Sequence, residues 1–188
     1  MRLNVLLILA LTLLLMTGYR GVPCAEAAAS DQTPPAAART AGPAQSPFVD
    51  NGNGTVTDKT SGLMWKKCSE GQTWRKAGNR CEGKAAGYSW DDALNNVEIM
   101  NTRGGTAGFK DWRLPTIKEL ATLVDYERET PIDLDMFPAT PALWYWSSTP
   151  FHRFPKRAWF VAFGYGDIST ERIDNQGLHV RLVRGGRK

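Results

Sequence analysis

Histidine is scarce in this 188-residue chain, with only His152 and His179, and its three cysteines, Cys24, Cys68 and Cys81, stand far apart. That spacing argues against a dithiol redox motif, which keeps two residues between its cysteines, and against a zinc site, which would need two further soft ligands. No G-x-S-x-G elbow or Ser-His-Asp grouping is evident, so the commonest hydrolase signatures are missing. No internal repeat recurs at a fixed period. The longest aliphatic run, Val5 to Met16, is about a dozen residues, too short to span a bilayer core of roughly 30 Å comfortably. A composition of 42% hydrophobic and 22% charged residues excludes collagen-like, coiled-coil and wholly disordered chains.

What is present divides into two populations. The aliphatic residues crowd the N-terminus, whereas all seven tryptophans lie at Trp65 or beyond. Arg2, the apolar run and the A-x-A sequence Ala25-Glu26-Ala27 read as a cleaved export signal over residues 1–27. Arg20, Pro23 and Glu26 interrupt the run and argue against its retention as an anchor. Pro23 directly before Cys24 argues against lipidation of that cysteine. The expectation is a periplasmic or secreted protein with no stable membrane span after cleavage. Removing Cys24 leaves Cys68 and Cys81 as a pair in an oxidising compartment, where a disulfide persists. Such a bridge would staple the polar segment Ser69–Arg80, worth about 3 kcal/mol in the chain-entropy model.

Apart from Asp31 and Arg39, residues 28–46 are Ala, Pro, Ser, Thr, Gln and Gly with hardly a bulky apolar side chain, a linker composition. Residues 47–188 then suffice for one domain. Phe48–Asp50 and Thr55–Asp58 flank Asn51-Gly52-Asn53-Gly54, a hairpin turn chemistry, and Leu63-Met64-Trp65 continues as a short strand. Ser89 is an N-cap for a helix on which Trp90, Ala93, Leu94, Val97 and Met100 share a face, ended by Gly104-Gly105. Thr116 and Glu119 form a capping box for a second helix carrying Ile117, Leu120, Ala121 and Val124. Trp144–Ser148, Ala158–Phe163 and Ile168–Arg172 read as strands, the last two joined across Gly164-Tyr165-Gly166-Asp167. Leu178, Val180 and Leu182 alternate with His179, Arg181 and Val183, as in a closing strand with one buried face. Trp90, Trp112, Trp146 and Trp159 sit in apolar patterns and are expected in the core. Strands at both ends around two helices predict an α+β domain whose termini meet in one sheet.

The segment Asp111-Trp112-Arg113-Leu114-Pro115-Thr116-Ile117-Lys118-Glu119-Leu120 resembles the signature of the Lcl C-terminal domain family of exported bacterial proteins. Val49–Asp58 with Thr60–Trp65, Tyr145–Ser148 and Val180–Arg184 match in the same order. The Arg-Leu-Pro-Thr stretch is also similar to formylglycine-generating enzymes. Both resemblances imply a C-type-lectin-like fold, with two helices, a mostly antiparallel sheet and a loop-rich binding half. Every residue from Arg113 to Leu120 has a folding role open to it, so the motif speaks for the fold rather than for an activity.

Catalysis draws little support. The formylglycine-generating resemblance implies C-terminal cysteine chemistry with a bound metal, but Cys68 and Cys81 lie upstream of both helices. The acidic run Asp125, Glu127, Glu129, Asp133 and Asp135 reads as a solvated surface. Calcium-dependent sugar binding in this fold uses Glu-Pro-Asn or Gln-Pro-Asp with Trp-Asn-Asp, and none of these occurs. No catalytic residue, metal ligand or cofactor is assigned.

Binding is better signed. The exported charge falls from +4 to about +3, and its clustering matters more than its size. Lys66, Lys67, Arg75, Lys76, Arg80 and Lys84 surround the disulfide loop with Trp74, which can stack on a sugar ring. Arg153, Lys156, Arg157, Arg181, Arg184, Arg187 and Lys188 form a second group. Such clusters favour polyanions, and the Lcl resemblance implies adhesion to sulfated glycosaminoglycans. The expected function is a non-enzymatic, exported ligand-binding or adhesion domain. The alternatives are an enzyme or enzyme-accessory domain related to formylglycine-generating enzymes, and a structural module of an envelope assembly. Nucleic acid is not an expected partner of an exported chain.

Overall fold

A computed structural model describes residues 46–186. The signal, all of the linker before Ser46, Cys24, Arg187 and Lys188 lie outside the described residues. The domain is α+β, with strands antiparallel throughout its named pairs. Among the described residues no helix is long and apolar enough to cross a membrane.

The first hairpin forms where its turn chemistry places it. β1 (Phe48–Asp50) and β2 (Thr55–Asp58) pair around a turn in which Gly52 and Gly54 take positive φ, and Asp50 and Asn53 accept backbone N–H groups. β3 (Met64–Lys66) lies between β2 and β9 (Val183–Arg184), so the two ends of the domain share one sheet in the order β1-β2-β3-β9. β6 (Trp144–Pro150), β7 (Arg157–Ala162) and β8 (Asp167–Arg172) make a second, three-stranded sheet.

Both helices begin at their sequence caps. Ser89 Oγ accepts from the Asp92 N–H to start α1 (Trp90–Thr102), and Thr116 and Glu119 complete both arms of the box on α2 (Ile117–Ala121). α2 is only five residues long. The chain leaves it through tight turns at Leu123 and Val124, and these still place Val124 against the core.

The Asp111–Leu120 motif is a folding device. Asn101 at the end of α1 donates to the Trp112 carbonyl at 2.7 Å and accepts from its N–H at 3.1 Å, while the indole N–H reaches the Thr106 carbonyl. Arg113 then grips Glu119 through two contacts at 2.8 and 2.7 Å, and the same carboxylate accepts the Thr116 N–H. The Arg113 charge holds the Glu119 carboxyl below its ordinary range against the opposing effect of burial.

The β6-β7-β8 sheet separates two apolar clusters. Tyr145, Val161 and Phe163 join Trp65, Leu120 and Phe137 on the α2 side, whereas Trp146, Phe160 and Ala162 join α1, Leu178, Val180 and Leu182 on the other. That division corrects the closing strand. Only Val183–Arg184 is strand, and residues 178–183 are all buried instead of burying one face. The segment runs between the clusters, so Leu178, Val180 and Leu182 enter one, Val183 enters the other, and Arg181 lies against Phe137 and Tyr145 on that second side. Trp112 and Trp146 are buried as expected, but Trp90 and Trp159 are only half-buried at the rims.

Candidate functional site

The disulfide loop has more order than its polar composition suggests. Cys68 and Cys81 are bonded with Cα atoms 5.5 Å apart. Within the loop, β4 (Thr73–Arg75) pairs with β5 (Arg80–Glu82), with Trp74 opposite Cys81. Gly78 and Asn79 take positive φ in the connecting turn.

A buried lysine fastens this hairpin to the first one. Lys67 Nζ, fully enclosed, donates to Asp50 Oδ2 and to Asn79 Oδ1, each at 2.7 Å. Asn79 also donates to Asp50 at 2.9 Å and accepts from the Trp74 indole N–H at 3.3 Å. Burial raises the Asp50 carboxyl, but the bonds from Lys67, Gly52 and Asn79 outweigh it and leave the group below its ordinary range. The indole lies over Gly54, where a Cβ would come within 2.9 Å of the ring. Gly54 therefore serves the turn and the ring together.

A cleft of ≈ 380 Å³ opens beside this indole, lined by Asn53, Lys66, Gln72, Thr73, Trp74 and Thr106 with the backbone around Gly54 and Ala107. Its walls hold one cation, one aromatic and several hydroxyl and amide side chains, and no carboxylate. Lys66 is bonded to Glu70 at 2.5 Å, and Glu70 itself is buried outside the cleft. An anionic ligand group would share the Lys66 ammonium with Glu70.

The basic residues around the loop have different states. Arg75 and Arg80 both bond Glu82, whose carboxyl they hold below its usual range. Lys76 and Lys84 are exposed and carry no ion pair among the described residues. Three carboxylates (Asp50, Glu70 and Glu82) thus answer six cations, leaving the region positive. Lys67, expected as a ligand contact, is a correction: its ammonium is consumed inside the fold and reaches no solvent.

The second basic group does not assemble. Arg153, Lys156 and Arg157 lie at the turn between β6 and β7 and at the start of β7. Arg184, on β9, is paired with Asp111 at 2.7 Å and stacked 3.8 Å over Phe109. Arg181 is the second correction. It is fully buried, donates to the Lys66 and Lys67 carbonyls, Ser69 and Thr140, and lies 4.8 Å from the Phe137 ring. Burial lowers its pKa, and it is a strut holding the 66–69 segment behind the cleft. Alternation along 178–183 placed it opposite the apolar face, and only the second cluster on that side encloses it.

Sequence assigns Asn53 only to its hairpin turn, and it gives no sign of Gln72, Thr73 or Thr106. Single polar residues carry no periodic signal, and Thr106 reaches the cleft only because α1 and the Trp112 clamp set its loop there. The acidic run is organised as well. Arg128 bridges Asp125 and Asp133, and Asp133 is buried, accepting from Ser46 and from the Asp135 and Met136 N–H groups.

The family model described as the Lcl C-terminal domain matches residues 54–184. The chain belongs to the Lcl C-terminal domain family. The match runs from the first hairpin turn to β9, so in this Lcl domain it takes in β2 to β9, the disulfide hairpin and every residue of the cleft except Asn53. No curated protein matches the chain.

Proposed function

We propose that this Lcl domain is an exported, non-enzymatic binding module of C-type-lectin-like fold that recognises polyanionic, sulfated glycans through the cleft beside Trp74. The observation that carries the reading is the cleft's lining, an indole and an ammonium among hydroxyl and amide groups with no carboxylate. An indole face takes the apolar side of a sugar ring, hydroxyl and amide groups suit its hydroxyls, and the positive surroundings favour sulfate. Lys76, between β4 and β5, and Lys84, two residues past β5, are exposed and outside ion pairs among the described residues, and they add positive charge to the disulfide hairpin. Family membership supports the same reading without specifying the ligand.

Retention on immobilised heparin at low salt tests it. The protein is expected to bind, to elute earlier when Lys76 and Lys84 are changed to alanine, and to elute earlier still when Trp74→Ala is added. Because screening acts on exposed charges, retention must fall as salt rises. Flow-through of the wild-type protein at low salt refutes the proposal.

A further inference from the structure

A second surface, on the three-stranded sheet, combines an apolar strip with unpaired cations. β7 and β8 pair so that Trp159 stands opposite Thr170 and Val161 opposite Ile168, on the side that faces α2. Val161 is covered by the core, but Trp159 is half-buried and Ile168 is 44% exposed. Ile117, Ala121, Trp159 and Ile168 line a shallow cleft of ≈ 270 Å³ whose one charged neighbour is Lys118. The strip continues past this cleft, because Trp159 meets Phe151 edge to face at 5.2 Å and Phe151 meets Phe154 at 5.7 Å. Phe154, at the β6–β7 turn, is 53% exposed, and the Arg153 guanidinium sits 5.8 Å from its ring.

The charges around the strip are predominantly positive. Arg172 is paired with Asp174 and also feels the neighbouring Glu171, and Lys156 lies within the field of the Asp174 carboxylate. Arg157 bonds only the neutral Thr170 side chain and carbonyl. Arg153 and Lys118 have no ion pair among the described residues. The turn from Phe151 to Lys156 contains no acidic residue.

We infer that this face docks on an anionic lipid surface, with Phe154 entering the headgroup boundary and Arg153 and Lys118 meeting lipid phosphates. The observation in its favour is charge complementarity beside an exposed aromatic. Interfacial binding adds buried apolar area to the attraction of cations for anionic headgroups. A specific protein partner commonly buries roughly 1,200–2,000 Å² in all around a packed apolar centre, whereas the exposed apolar side chains here are Phe154 and Ile168, with Phe151 and Trp159 half-buried. A sugar chain would need hydroxyl partners, and the strip supplies rings, methyl groups and cations in place of the hydroxyls and amides of the Trp74 cleft.

Co-sedimentation with vesicles tests the inference. The chain recovered after export is mixed with phosphatidylcholine vesicles, with and without about one-third phosphatidylglycerol, at low and high salt. Comparing variants of one chain cancels any contribution of residues 1–45. Binding to the anionic vesicles alone is expected. It should weaken about tenfold for Phe154→Ser and for Arg153→Ala with Lys118→Ala, and decline with salt. The substituted side chains are exposed, and far-ultraviolet circular dichroism confirms the fold of each variant. Absence of sedimentation, equal binding to neutral vesicles, or binding indifferent to both variants overturns the inference. Heparin elution of Phe154→Ser separates the two proposals: it should match wild type, and its loss would reassign the strip to the glycan. Concentration-dependent self-association abolished by Phe154→Ser, without vesicle binding, would reassign it to a second copy of the chain.

Discussion

Replacing Lys67 with methionine isolates the clamp between the two hairpins. The substitution keeps the buried stem's volume and removes an ammonium that bonds Asp50 and Asn79, each at 2.7 Å. Deleting one member of a fully buried ion pair costs about 3–5 kcal/mol, largely through the charge left behind. Here the Asp50 side chain keeps 29% exposure and can recover water, and it retains the Gly52 N–H and the Asn79 amide. The expected cost is therefore lower, about 2–3 kcal/mol. For a domain of this size that corresponds to a melting temperature lower by roughly 5–12 °C. Urea unfolding followed by tryptophan fluorescence measures it, and Trp74 reports the hairpin because its indole bonds Asn79. Asp50→Asn and the double variant complete a cycle whose coupling should exceed about 1 kcal/mol. A Lys67→Met protein as stable as wild type, or a coupling near zero, would refute the assignment of Lys67 as a structural clamp.

Reducing the Cys68–Cys81 bond, or changing both cysteines to alanine, should cost about 3 kcal/mol, since the bridge closes a 13-residue separation. Paired urea titrations with and without reductant measure the loss, and an unchanged midpoint would contradict the staple. The same clamp should respond to acid. Asp50 is held below its unfolded value, so its contribution is present above the unfolded pKa and disappears as pH falls through the lower folded one. Stability should thus decline below about pH 4, and the decline should be shallower in Asp50→Asn when unfolding is followed across acidic buffers.

The local devices were legible because each is carried by neighbouring residues. Asn51-Gly52-Asn53-Gly54 supplies the φ angles its turn needs, Ser89 and Thr116 accept N–H groups a few residues on, and Cys68 and Cys81 are the pair left once Cys24 is set aside. The β4–β5 pairing was not, because Thr73-Trp74-Arg75 and Arg80-Cys81-Glu82 are polar and short. Their order comes from the disulfide and from Lys67, seventeen positions beyond its partner Asp50. The cleft draws Asn53, Lys66, Trp74 and Thr106 from three separate stretches, and no local pattern links them.

Charge shows the division most clearly. Local sequence shows that cations gather around the disulfide loop, that two capped helices lie between terminal strands, and that the Arg113–Leu120 motif belongs to folding. It could not determine which cations face solvent. Lys67 and Arg181 look in sequence like Lys76 and Arg153, yet the first two are enclosed and the last two exposed. The reason is physical. Capping, turn chemistry and alternation act over two to four residues, within reach of the local chain. Burial of a charge depends on which distant carbonyls, rings and carboxylates converge around it, and only the packing of the two clusters against the β6-β7-β8 sheet brings those groups together.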